Sequence, residues 1–124
     1  MTTSRLVEQR IRNRLFEYIE WVVESERMLP DLGLNELLNQ WEDWISRPVE
    51  VDSFPAPVFT EPETRALRAL DATWDLFCSA TPTTIVDERA AMSTPQWRDF
   101  VAAAKAAAVV FRVRGRFPED VKLA

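Results

Sequence analysis

Side chains able to do chemistry are few in this chain of 124 residues, which has no His and one Cys, Cys78. Without imidazole there is no His metal site, no Ser-His-Asp triad and no pH switch near neutrality. A disulfide within the chain needs a second thiol that is not there. Glu17, Glu20 and Glu24 share one face of a predicted helix, and Asp71 and Asp75 share a face of another. Helical di-iron sites join such glutamates to Glu-x-x-His pairs, so only an oxygen-ligand site for a hard cation such as Mg²⁺ remains conceivable. The simpler reading sets these carboxylates on the watered face of amphipathic helices, and neither metal nor cofactor is expected. Cys78 follows Phe77 on an apolar seam and has no base nearby to make it a thiolate; it reads as a small buried hydrophobe. The only glycines, Gly33 and Gly115, are too far apart for a phosphate-binding loop. No catalytic residue is assigned, and the chain is read as a non-enzyme.

Charge is more informative than any catalytic motif. Lys and Arg number 15 against 20 Asp and Glu, a net charge of −5. Residues 29–93 hold four basic and twelve acidic side chains, net −8, whereas residues 94–124 are net +3. The excess of acid argues against nucleic acid as partner. The basic run Phe111-Arg112-Val113-Arg114-Gly115-Arg116-Phe117 resembles an anion clamp, but cations at a helix C-terminus are accounted for by the helix dipole. The sharpest part of the acidic block is Trp41-Glu42-Asp43-Trp44, followed by Glu50 and Asp52. Acids that steer association beside an aromatic anchor suit a surface for a basic protein. Trp44, Glu42, Asp43, Glu50 and Asp52 are therefore the candidate partner-binding residues, with Trp41 assigned to the core and Trp44 to partial exposure.

These residues need elements to place them, and helix punctuation dominates. Val7, Ile11, Leu15, Tyr18, Ile19 and Val22 form one stripe of a first helix expected over 4–28. A second helix, capped by Asn35, carries Leu37, Leu38, Trp41, Trp44 and Ile45 and stops at Pro48. Residues 48–59 read as a Pro-rich extended connector anchored by Phe54, Val58 and Phe59, with room for a short edge strand at Val49–Val51. Thr60-Glu61-Pro62-Glu63 is a capping box for a third helix to about Ser79. A short fourth helix is expected over 84–92, and Ser93-Thr94-Pro95-Gln96 opens a last one with six alanines between 102 and 108. Gly115 stands where a left-handed cap belongs. The expectation is an all-α, single-domain bundle of four to five helices over 1–118, with a loose tail over 119–124.

The first helix has Arg10 and Arg14 in its N-terminal half and Glu17 and Glu24 in its C-terminal half, against the dipole preference. An antiparallel neighbour would repay this. Two copies of the helix about a two-fold axis supply one, making Arg10, Arg14, Glu17 and Glu24 a candidate homodimer interface. The other source is a segment of the same chain.

The order of features resembles that of small bacterial helical proteins of unassigned function, some regarded as antagonists of toxins. It rests on the Trp-rich second helix ending in Pro48, on Phe59 to Leu67, and on Pro95-Gln96-Trp97. The resemblance brings no active-site residue with it. It implies an immunity-type inhibitor that occludes a basic partner. A regulatory homodimer is one alternative. The other is a small-ligand binder, using Trp74, Trp97 and Arg68 or Arg98 in a pocket between helices. The N-terminal MTTSRLVEQR lacks an apolar signal core, and the longest apolar stretch, 101–111, is broken by Lys105. A soluble, cytoplasmic protein without a membrane partner is the corresponding expectation.

Overall fold

A computed structural model describes residues 4–28, 33–45 and 54–122, and within them the chain is all-α, with no strand. Ser4 Oγ accepts the Val7 N–H and starts α1, Arg5–Val23. The helix was expected to reach Met28. Instead the backbone tightens after Glu24 into a 3-10 turn, Ser25–Met28, where Arg27 N–H bonds Glu24 O at 3.1 Å.

The second helix, α2, spans Leu34–Trp44, and its cap differs from expectation. Gly33, at φ 73°, is the N-cap residue and offers no side chain, so Glu88 Oε1 from a distant segment accepts the Leu34 N–H at 2.8 Å. Asn35 is used elsewhere: its amide bonds both the N–H and the carbonyl of Ile85, each at 2.8 Å. That exchange keeps residues 84 and 85 out of the helix, so α4 is only Glu88–Ala91, started by Asp87.

The capping box is present in both halves on α3, Glu61–Ser79. Thr94 accepts the Trp97 N–H at 3.2 Å to begin α5, Pro95–Arg112. Gly115, at φ 69°, closes the end with its N–H on Phe111 O at 3.0 Å, as a left-handed cap does.

The core lies where α5 packs along α3 and against α1. Ala104, Ala107 and Ala108 are fully buried and let the helix backbones approach closely. Phe77, Trp97 and Phe100 pack as one aromatic cluster, with the Phe77 and Trp97 centroids 5.0 Å apart. The α2 helix is tied to α1 by Tyr18, whose hydroxyl donates to Leu37 O at 2.8 Å. Trp74 Nε1–H joins it to α3 through Leu38 O at 3.2 Å. Phe54, Val58 and Phe59 are buried anchors as expected, with a cis bond at Ala56-Pro57. The expected strand at Val49–Val51 lies outside the described residues.

Candidate functional site

Consecutive helical residues turn by roughly 100°, and this separates the acidic and aromatic residues at the end of α2. Leu34, Leu37, Leu38, Trp41 and the following Ile45 make the buried face. Trp41 lies at its centre, fully buried, and donates its indole N–H to Asp71 Oδ1 at 2.8 Å. Trp44, the last residue of the helix, falls at one edge of that face and is 37% exposed. Asp43 points away from the core, while Glu42 lies on the opposite flank from Trp44; both acids are exposed. Glu36 and Asn39 complete the solvent side of α2, which carries three acids and no basic residue. Glu50 and Asp52 lie outside the described residues.

The flank bearing Glu42 borders a cavity of about 450 Å³ between α2, the C-terminal half of α3 and the stretch 81–84. Leu38 and Trp74 form apolar wall, Asn35 and Asn39 present amides, and the half-buried Cys78 also lines it. A larger cavity, about 700 Å³, opens between residues 54–60 and α3, with Phe54 and Phe59 inside and Arg65 and Arg68 along it. Trp74 and Arg68 thus border different cavities, and Trp97 sits in the aromatic cluster with 2% exposure. The set expected to share one ligand pocket is not brought together.

On α1 the four residues of the expected two-fold interface are engaged within the chain. Arg10 donates to the Glu119 carbonyl at 3.0 and 2.8 Å. Arg14 pairs with Glu17 and, at 2.8 Å, with Glu119, while Arg116 reaches Glu17 at 3.1 Å. Glu24 pairs with Arg27 at 3.0 Å. For Arg10, Arg14 and Glu17 the complementary segment is the chain's own C-terminal stretch, and Glu119 and Val121, expected in a loose tail, are hydrogen-bonded to α1. Gln9 also donates to the carbonyls of Pro118 and Val121 at 2.9 and 2.8 Å. Asn13, fully buried, bonds both the N–H and the carbonyl of Phe117. The Asn13 amide, aided by Arg14 and Arg116, holds the Glu119 carboxyl below the usual carboxylate range.

The densest charge cluster is one that the sequence reading missed. Arg12, fully buried, meets Glu63, 1% exposed, at 2.8 Å; Arg114 reaches the other Glu63 oxygen at 2.5 Å. Arg12 also donates to Gly115 O at 2.7 Å and lies 4.0 Å over the Phe117 ring. Arg114 caps the carbonyls of Pro57 and Val58 at 3.0 and 2.6 Å. Burial by itself pushes Glu63 up, but hydrogen bonds from Arg12, Arg114 and the Thr60 N–H outweigh it and lower its pKa. With both carboxylate oxygens occupied, Glu63 has no free lone pair to act as a base; the cluster clamps α1, α3 and the end of α5. The one signal for it was Arg12 standing one turn before Phe16, since a second buried face on α1 runs Arg12, Phe16, Ile19. Burial, then the neighbouring Cys78, pushes the Tyr18 hydroxyl well up, and it serves as the neutral donor to Leu37 O.

Among the described residues no group of three or more His, Cys, Asp or Glu is placed to hold a metal ion. No helix of those residues is long and apolar enough to cross a membrane. No protein-family model, curated protein or solved structure matches this chain.

Proposed function

We propose that this is a non-enzymatic protein that binds a basic protein through the solvent face of α2 and occludes it, as an immunity-type inhibitor does. The carrying observation is the imbalance of charge: Glu36, Glu42 and Asp43 are exposed on a helix that has no cation of its own. Arg12 and Arg14 of α1 and the arginines of residues 112–116, by contrast, meet Glu17, Glu20, Glu63 and Glu119. The negative potential of α2 therefore stands ready to steer a positive partner, and Trp44 at the helix edge supplies an aromatic anchor.

The test is capture from native lysate by the tagged protein, in low and high salt, alongside the double variant Glu42→Lys with Asp43→Lys. Wild type is expected to hold a basic protein at low salt and release it as salt screens the attraction, and the double variant to capture none. Equal capture by both removes α2 from the interface.

A second reading, a small-ligand binder, is favoured by the larger cavity, lined by Phe54, Phe59 and Arg68 and by Arg65, which pairs with Glu61 at 3.0 Å. It suits an apolar anion; a medium-chain carboxylate should then raise the Tm of wild type but not of Arg68→Ala.

A further inference from the structure

The cavity beside Glu42 has a chemistry that specifies its occupant more narrowly than the open face of α2 does. Its apolar wall is Leu38 and Pro82 with the small exposed part of Trp74, which is 5% exposed. Glu42 is the single charged residue among those described that line it. The neighbouring shallow cavity, on the other side of the 81–84 stretch, has Asp87 as its one charged lining residue. The larger cavity at Arg65 and Arg68, where Glu61 pairs with Arg65 at 3.0 Å, lies elsewhere. A small apolar wall, a carboxylate at the rim and the side-chain amide of Asn39 form a combination that a guanidinium satisfies. Its apolar stem lies on the wall while its head bonds the acid through two parallel N–H groups. A volume of about 450 Å³ admits such a side chain with water beside it.

The pocket is also held in shape before anything enters. Asn35 pins Ile85 at both its backbone groups, Thr81 Oγ1 donates to Phe77 O at 3.0 Å, and the Trp74 indole is fixed by Leu38 O. A wall already ordered loses little freedom on binding.

We infer that the cavity between Glu42 and Trp74 is the subsite that receives an arginine side chain of the protein partner. This rests on the reading of α2 as the partner surface and adds to it the residue type that is recognised.

The probe is a short capped peptide, Gly-Arg-Gly, titrated into ¹⁵N-labelled protein, with the same peptide carrying citrulline as the uncharged match in shape. The Trp74 indole signal, assigned through Trp74→Phe, and the side-chain amides of Asn35 and Asn39 are expected to shift saturably with the arginine peptide only. Glu42→Gln, which keeps the shape and removes the charge, is expected to weaken that binding about tenfold. No saturable shift, or equal shifts from citrulline, overturns the subsite. Asp43, which does not border the cavity, separates this result from the wider reading. If Asp43→Lys loses salt-dependent partner capture while the peptide leaves Trp74 unmoved, the subsite is wrong and the α2 surface stands. If the peptide titrates Trp74 while Asp43→Lys captures as well as wild type, the guanidinium site stands and the α2 surface falls.

Discussion

Glu63 carries more of this molecule than its place in a capping box suggests. Two arginines share it: Arg12 is fully buried and Arg114's side chain is 29% exposed. Replacing Glu63 by Gln leaves Arg12 desolvated without its counter-charge, and the expected loss is about 3–5 kcal/mol, measured by denaturant unfolding. The same residue sets an acid limb. Its pKa is lowered in the folded chain, so the unfolded chain binds the proton more readily. Its stabilisation is thus complete above the ordinary carboxylate range and is lost as the pH falls through that range toward the folded value. Unfolding curves of wild type should shift downward in acid, and those of Glu63→Gln should lack that component. Asn13 and Glu119 offer a contrast. Asn13→Ala strands the buried N–H and carbonyl of Phe117 and should cost about 1–3 kcal/mol, whereas Glu119→Ala removes only solvent-screened pairs and should leave the unfolding midpoint nearly unchanged.

At the scale of elements, the helices begin where local hydrogen bonds can close. Ser4, Thr60, Asp87 and Thr94 each accept an N–H three residues on. Such caps are legible because donor and acceptor are near in sequence, and Thr94→Ala should cost about 1 kcal/mol. The start of α2 was misread because its cap comes from Glu88, a residue that only folding brings to Leu34. The same contact region explains the shortened α4: Asn35 takes both backbone groups of Ile85 and competes with the helix for them. Asn35→Ala should therefore speed amide exchange at Ile85 and loosen the 81–85 stretch, with α3 and α5 unaffected. Retained protection at Ile85 would show that the Asn35 bonds do not hold it. On α1 the predicted stripe holds from Leu15 to Val22, but Val7 is 40% exposed while Gln9, Arg12 and Asn13 are buried. The N-terminal half of this helix meets the polar backbone of residues 117–121 instead of an apolar partner, so its buried face there is polar.

For the whole molecule, the reversed charge order of α1 is matched by the chain's own C-terminal stretch, with Arg14 and Arg10 at Glu119 and Glu17 at Arg116. Sedimentation of the full chain at micromolar concentration is expected to show a monomer; a dimer would mean that copies exchange these pairs. What the sequence by itself determined is the all-α class, the starts of α1, α3 and α5, the Gly115 cap, the buried anchors Phe54, Val58 and Phe59, and the contrast of buried Trp41 with part-exposed Trp44. These follow from apolar period and from bonds spanning three or four residues, which the order of side chains dictates directly. Only the tertiary structure decided that Glu63 is shared by Arg12 and Arg114, that residues 117–121 dock on α1, and that Glu42 and Trp44 lie on opposite flanks of α2, with Glu42 and Trp74 lining one cavity. Those outcomes depend on how α1, α2 and α3 lie against their neighbours, because that packing selects which charges lose their water and must find a partner far along the chain.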